Sequence, residues 1–241
     1  RDEISSLNVQ QQLYLEDIIP GLVTRALLTP ADQALGYTGG VITAVGGFRS
    51  YNIAKREVRA IDIQMEYEKQ LGSFGRLHPY MTATYQPRFA TQLVPTFPLI
   101  DEAGYSASLL WRGNAGLDWK RGRWSAGWNM QYYDSYYRYG ASFTAAQAAT
   151  VVLNQGTAKV PRQFYHDLSV GYDFGYQTEG WRRLLNGTRL TVGVQNFLNT
   201  MPPIGAGPGA GQAFPGGLAQ GISPYGDARL ARYTLTLRKK F

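Results

Sequence analysis

The chain has 241 residues, which suits one domain of ordinary size, and it has no cysteine, which excludes disulfide bonds and thiolate chemistry. No run reaches the roughly 18 consecutive apolar residues of a membrane-spanning helix. The net charge of +7 does not indicate nucleic acid, because the basic residues form no single stripe interleaved with aromatic side chains.

The strongest signal along the chain is a period of two, which predicts β-strands. It is clearest at 164–174, where Leu168 and Val170 alternate with Asp167 and Ser169. One face is apolar with aromatic ends and the other is small and polar, as in a strand between lipid and a wet lumen. The predicted strands, in chain order, are 4–14, 58–69, 77–86, 105–119, 124–133, 164–174, 188–197 and 233–241.

The connections between these eight strands alternate between short and long. The short ones are 70–76, 119–124 and 176–187. The long ones are 14–48, 87–104, 134–163 and 198–228. Outer-membrane barrels have short periplasmic turns and long extracellular loops, so we place the short connections on the periplasmic side. A short helix is predicted at 144–152 inside one long connection.

The best candidate for ligand binding begins at the outer end of the strand 124–133 and enters a long loop. Alternation predicts that Tyr133, Tyr137 and Tyr139 face the lumen, where they and Arg138 could stack on and hydrogen-bond a ligand. Tyr132 and Tyr136 would face lipid or the rim. The alternative interpretation is an aromatic belt at the outer leaflet.

No catalytic constellation, metal site or cofactor site is predicted. His78 and His166 are the only histidines, and no nucleophile motif surrounds them. Three carboxylates on polar faces are expected to hydrate the wall or to pair with Arg112 and Arg189. These are Asp118, Asp167 and Asp173.

The last two strands carry a family resemblance. Val192-Gly193-Val194-Gln195-Asn196-Phe197-Leu198-Asn199, followed by Pro202-Pro203, resembles the penultimate strand of TonB-dependent receptors. The strand that ends at Phe241 resembles their last strand, and 58–62 resembles another barrel segment of the family, with Ala60 in place of the usual Gly. At the strand end we expect the Asn196 amide to satisfy a backbone group of the following loop.

The resemblance implies an all-β, antiparallel transmembrane barrel segment of the bacterial outer membrane. The family's barrel has 22 strands and a plug, so we expect residues 1–241 to be the C-terminal portion, with the plug and earlier strands on another chain or in missing sequence. The implied function is TonB-coupled uptake of a scarce nutrient: a siderophore, cobalamin, a saccharide or a peptide. TonB would act through the absent plug, and no reaction would be catalysed.

The resemblance also implies that the barrel assembly machinery reads the terminal strand. The residues of this assembly signal are Tyr233, Leu235, Leu237 and Phe241. Outer-membrane lipid is the other expected partner, and nucleic acid is not. Two alternatives remain open: a self-contained eight-stranded barrel with a structural or adhesion role, and a barrel-embedded hydrolase.

Overall fold

The structure is a computed structural model that describes residues 2–6, 9–46, 50–92, 97–105, 108–175, 180–205 and 221–240. The chain divides into two compact units. The first comprises Arg1–Glu57 and Ala90–Ile100, and the second comprises Val58–Phe89 and Asp101–Phe241. The predicted all-β, antiparallel class is confirmed, because strands take up far more of the described residues than helices do and their ladders are antiparallel.

The elements of the described residues are numbered in chain order. The strands are β1 (Asp2–Ser6), β2 (Val23–Arg25), β3 (Ile42–Val45), β4 (Ser50–Glu66), β5 (Lys69–Gln70), β6 (Arg76–Gln92), β7 (Ile100–Asp101), β8 (Trp111–Arg121), β9 (Trp124–Tyr133), β10 (Tyr136–Tyr137), β11 (Lys159–Val160), β12 (Gln163–Asp173), β13 (Thr188–Gln195) and β14 (Arg232–Lys239). The helices are α1 (Val9–Tyr14), α2 (Pro30–Ala34) and α3 (Ala145–Gln155).

In the first unit, β1 pairs antiparallel with the beginning of β4, and β2 pairs with β3 as a small hairpin. Leu15 and Leu22 are buried against Ile19, Val23 and Phe97. The predicted strand 4–14 is wrong in its second half, because residues 9–14 form α1. Three consecutive glutamines, which favour a helix over a strand, explain the difference.

In the second unit, the main sheet runs in the order β4-β6-β8-β9-β12-β13-β14, and the five neighbouring pairs from β6 to β14 are antiparallel. These strands include seven of the eight predicted ones. The sheet is not closed: within the described part of the chain, β14 pairs only with β13. The connections β6–β8, β9–β12 and β13–β14 lie at one end, which we call the long-loop end.

Two predicted boundaries change. The strand expected at 105–119 begins at Trp111, because the chain turns at Gly104 (φ 82°) and Ser108 donates its N–H to the Tyr105 carbonyl at 2.9 Å. The strands β4 and β6 have 17 residues each, longer than the predicted ten or so. The helix predicted at 144–152 is confirmed as α3, and the Thr144 side chain caps it by accepting the Gln147 N–H.

The register aligns the predicted apolar residues across the sheet into one continuous face. Leu168 lies between Trp128 and Val194, and Val170 lies between Ala126 and Val192. Aromatic rings also meet across strands, including Tyr132 with Phe164 at 5.0 Å between centroids. Leu168 and Val170 remain 41% and 48% exposed, so this face has no protein layer over it in the described chain.

Three residues of the predicted assembly signal lie on this apolar face. Tyr233, Leu235 and Leu237 oppose Val194, Val192 and Leu190 in register. Phe241 lies outside the described residues.

Candidate functional site

The polar face carries a chain of hydrogen bonds across β6, β9 and β12. The Tyr80 hydroxyl donates to Asn129 Oδ1 at 3.2 Å. The Asn129 and Gln131 amides both donate to Asp167 Oδ2, at 3.4 and 3.3 Å. Asp167 Oδ1 accepts the Asn196 N–H at 2.8 Å. This face can therefore hold water or a polar solute, as a lumen wall must.

Of the two roles predicted for the three aspartates, lining the wall fits the contacts better than pairing with arginine. The Asp118 carboxylate lies 3.7 Å from His78 Nδ1, and Arg189 donates to Ser125 Oγ at 2.8 Å. Asp173 accepts the Gly175 N–H at 2.9 Å. Within the described residues, no salt bridge joins these aspartates to Arg112 or Arg189.

A polar groove of about 470 Å³ lies on this face near the long-loop end. Tyr133 lines it, on the lumen side as predicted, and donates its hydroxyl to Gln131 Oε1 at 3.2 Å. Thr84 donates to Asp62 at 2.7 Å in the same groove. Further lining residues are Gln64, Thr82, Arg112 and Asn114. Amides and hydroxyls dominate, a set of groups suited to a hydrogen-bonding ligand.

Two of the predicted ligand residues belong to a group of four rings in the loops, which we call the loop aromatic group: Tyr105, Tyr137, Tyr139 and Phe143. Tyr105 stacks on Tyr137 at 5.0 Å between centroids and meets Tyr139 edge-on at 5.9 Å. Phe143 lies 6.3 Å from Tyr139, and Lys159 Nζ lies 4.6 Å above the Tyr137 ring. Four contiguous rings with a cation offer a stacking surface for a planar group.

Tyr133 belongs instead to a second group, the inner aromatic group, formed by Tyr133, Tyr136, Tyr165 and Tyr225. Tyr225 stacks on Tyr133 at 5.3 Å and contacts Tyr136 edge-on at 5.5 Å. Tyr165 meets Tyr133 at 6.3 Å. The four predicted residues therefore do not converge on one point, because Tyr133 ends β9, whereas Tyr137 and Tyr139 lie further on in the connection between β9 and β12.

The prediction that Tyr136 faces lipid or the rim is wrong. Tyr136 is 1% exposed and packs with Leu109 and Val160. Its hydroxyl lies 3.1 Å from Ser223 Oγ. Alternation fails here because β9 ends at Tyr133 and the chain turns before β10 pairs with β11.

The guanidinium of Arg138 makes a hydrogen bond within the protein. Its Nε donates to the Gly205 carbonyl at 2.9 Å. Gly205 in turn donates its N–H to the Gly221 carbonyl at 2.9 Å, and the Ser223 N–H donates to the Pro203 carbonyl at 2.8 Å. Arg138 thus joins the loop after β10 to the paired residues at the base of the β13–β14 connection.

Several residues that sequence reasoning missed complete this end of the molecule. Ser223 is 1% exposed, and its hydroxyl accepts the Gln163 amide at 2.9 Å. Tyr105, Phe143 and Tyr225 are the missed rings. Phe143 and Tyr225 lie outside the predicted strands, where period-two reasoning gives no signal. Tyr105 was assigned to the predicted strand 105–119, which begins only at Trp111.

Ionisable groups in the β13–β14 connection have shifted pKa values. Hydrogen bonds from the Arg229 side chain and backbone lower the pKa of Asp227 to about 2, and Arg232 adds a charge at 3.1 Å. Burial raises the pKa of the Tyr225 phenol, so this ring stays neutral at physiological pH.

Within the residues that the structure describes, no group of three or more His, Cys, Asp or Glu side chains is arranged to hold a metal ion. None of the helices in that part of the chain has the length and apolarity needed to cross a bilayer.

An uncovered apolar face with aromatic ends, a hydrogen-bonded polar face and long loops at one end define a segment of an outer-membrane β-barrel. The family comparison agrees: the model of the TonB-dependent receptor-like β-barrel matches residues 25–197, more than half of the chain. The chain therefore belongs to this family, which confirms the family that the sequence resembles. Membership implies the bacterial outer membrane.

Among solved structures, a mutant of the ferric enterobactin receptor from Pseudomonas aeruginosa is similar at 12% sequence identity, with a TM-score of 0.46. The match covers 98% of this chain and 26% of that receptor, so the chain spans about a quarter of its length. No curated protein sequence matches the chain.

Proposed function

We propose that this chain is the C-terminal portion of the barrel of a TonB-dependent transporter that takes up a scarce nutrient through the outer membrane. The observation that supports the proposal most is that the sheet has one apolar and one polar face. Alternate residues of β6 to β14 form one apolar face, and the residues between them form a polar face with a groove at the long-loop end.

The proposal includes the missing parts of the barrel. Within the described residues, the sheet does not close between β4 and β14, and an unpaired strand edge in hydrocarbon leaves N–H and C=O groups unsatisfied. Other strands must therefore cover the β14 edge, and a plug on the same receptor would receive the force from TonB. Lipid and the barrel assembly machinery are the other proposed partners.

We assign ligand contact to the loop aromatic group and the polar groove. Tyr137 and Tyr139 present two of the four rings, and Tyr133 lines the groove below them. Arg138 has a different part in this proposal, because its Nε is already bonded to Gly205. It holds the loop that carries the two rings.

The experiment is an uptake assay in cells that depend on this receptor. Siderophores, cobalamin, oligosaccharides and peptides are supplied singly, with and without functional TonB. We expect TonB-dependent uptake of one class, lowered about tenfold or more by the double variant Tyr137→Ala and Tyr139→Ala, since each stacked aromatic is worth about 0.5–1.5 kcal/mol. Tyr14→Ala, at a ring that is 70% exposed in the first unit, is the matched control.

Uptake of none of these classes, or uptake that is indifferent to TonB, would contradict the transport proposal. Normal uptake by the double variant would remove only the two tyrosines from the site. The self-contained eight-stranded barrel is less well supported, because the sheet is open. A protein of this chain alone that refolds into a closed barrel would favour it.

A further inference from the structure

A second groove, separate from the polar one, lies on the apolar face at the long-loop end. It has a volume of about 360 Å³. We call it the rim groove, and its lining residues are Pro161, Arg162, Gln163, Phe164, His166, Leu198, Thr200, Met201 and Pro203. The transport proposal uses none of these residues. From the composition and position of this groove, we propose that it binds a phosphate-bearing lipid of the outer leaflet.

One side of the rim groove is the beginning of β12. Phe164 and His166 project on the same face as Leu168, because they oppose Tyr132 and Met130 in register. The Phe164 ring lies 5.0 Å from that of Tyr132, and the His166 ring stacks on Trp128 at 5.8 Å. This side is therefore continuous with the face that meets hydrocarbon.

The other side is the turn that follows β13, and hydrogen bonds within the protein fix its shape. The Asn196 amide donates to the Thr200 carbonyl at 2.8 Å and accepts the Thr200 N–H at 3.0 Å. The Phe197 N–H donates to the His166 carbonyl at 2.8 Å. Leu198 and Met201 are nevertheless 57% and 62% exposed. Two large apolar side chains are thus held out beside Phe164 without a partner in the described chain, as the side of an acyl-chain site would be.

The charge of the rim groove selects the head group. Arg162 is exposed at the outer end of the groove, and no carboxylate lines the groove. Within the described residues, Arg162 has no hydrogen bond or salt bridge to another side chain. Guanidinium binds phosphate through paired charge-assisted hydrogen bonds, and its aliphatic stem can lie on an apolar surface.

The depth of the rim groove in the membrane agrees with a lipid phosphate at Arg162. Tyr132 and Phe164 belong to the aromatic residues of the long-loop end, where such rings mark the membrane interface. An acyl chain that runs along Phe164, Leu198 and Met201 would leave its phosphate at the height of Arg162. A chain without phosphate would cover the same apolar surface but leave the guanidinium unpaired.

Native mass spectrometry of the protein purified from outer membranes tests the proposal, with lipid A as the probe. Lipid A carrying both phosphates should bind about tenfold more tightly than the same lipid without phosphate, the size expected for a charge-assisted hydrogen bond. This comparison needs no variant. Equal binding of the two lipids would overturn the proposal.

Variants then locate the site. Arg162→Gln should weaken lipid A binding about tenfold, and Arg162→Lys should retain most of it. Arg121→Gln is the matched control. Arg121 lies on the apolar face at the short-connection end of the sheet, where it pairs with Trp124, and so it is far from the rim groove. A similar loss in the Arg121 and Arg162 variants would contradict the site, as would no loss in Arg162→Gln. Neither result bears on uptake, so the transport proposal is tested separately.

Discussion

The sheet and the loops at its outer end are built in opposite ways. In the sheet, Leu168 is 41% exposed on one face while Asp167 forms hydrogen bonds on the other, and no protein layer covers the apolar side in the described chain. At the loop end, Tyr136 and Val160 are buried to 1% and 0% exposure. The sheet relies on its surroundings to cover its apolar face, and the loops form a small core of their own.

This difference determines what each region tolerates. An apolar residue of the sheet can be exchanged for another apolar residue, because lipid adapts to its shape. A residue buried among protein side chains has neighbours that are close-packed, so a change in its volume leaves a cavity. The following predictions test that contrast, from the largest expected effect to the smallest.

Truncation of the buried loop tyrosine should have the largest effect. Tyr136→Ala removes a ring that packs on Leu109, Val160 and Tyr225, and similar aromatic truncations cost about 3–5 kcal/mol. We expect rapid protease cleavage between residues 134 and 163. Tyr136→Phe, which loses only the contact with Ser223, should cost about 1 kcal/mol. Equal protease resistance of Tyr136→Ala and the unmodified protein would show that these loops have no core of their own.

A charge on the apolar face should have the next largest effect. Leu168→Arg places a cation in hydrocarbon at a cost of about 2–4 kcal/mol near the bilayer centre. Ser169→Arg, the neighbouring residue on the polar face, is the control and should assemble normally. Heat-modifiability on gels measures the folded fraction. Equal assembly of the two variants would mean that the two faces are not distinguished by a membrane.

The Asn196 turn should show an intermediate effect that can be divided into two parts. Asn196 has a left-handed φ of 49° and bonds twice to the Thr200 backbone. Asn196→Ala loses both bonds and adds strain, about 2–3 kcal/mol in all. Asn196→Gly loses the bonds alone and should be less destabilised in thermal unfolding. If the glycine variant is the less stable of the two, backbone strain at this residue is unimportant.

Acid should have the smallest effect, confined to the β13–β14 connection. The pKa of Asp227 is lowered to about 2 by its bonds to Arg229, so the folded state favours the charged form. Its stabilisation is fully present above the ordinary pKa of about 4 and is lost as the pH falls toward 2. We expect faster hydrogen exchange at residues 225–232 over that interval. The control is Asp227→Asn, which should exchange fast already at neutral pH and show no further change as the pH falls. Equal pH dependence of exchange in the two proteins would contradict the role of Asp227.

Sequence reasoning found the sheet because one physical rule acts along each strand. Leu168 and Val170 must face one way if Asp167 and Ser169 face the other, and the pairing of β12 with β9 and β13 follows that rule. This rule does not predict the structure of the first unit. There, residues 9–14 form a helix, and the buried contact of Leu15 with Leu22 depends on a turn that no period describes.

The candidate site could be predicted only in part for the same reason. Tyr133 lies on the polar face, where alternation places it, because it is the last residue of β9. Its contact with a ligand stays a prediction. Tyr136 was assigned wrongly because the chain turns after Tyr133, and its neighbour Ser223 lies 87 residues away in sequence. Contacts between loops that are so far apart in sequence depend on how the sheet brings the ends of its strands together.

The most direct measurement of the central claim is cysteine scanning along β12, which the absence of native cysteine makes clean. Cysteines are introduced singly at Asp167, Leu168, Ser169 and Val170 in the outer-membrane protein, and a spin label is attached to each. The account predicts that labels at 168 and 170 are accessible to oxygen dissolved in lipid, and that labels at 167 and 169 are accessible to a water-soluble nickel chelate. If all four labels show one accessibility, or if 168 and 170 are reached only from water, the two-faced sheet does not exist in the membrane.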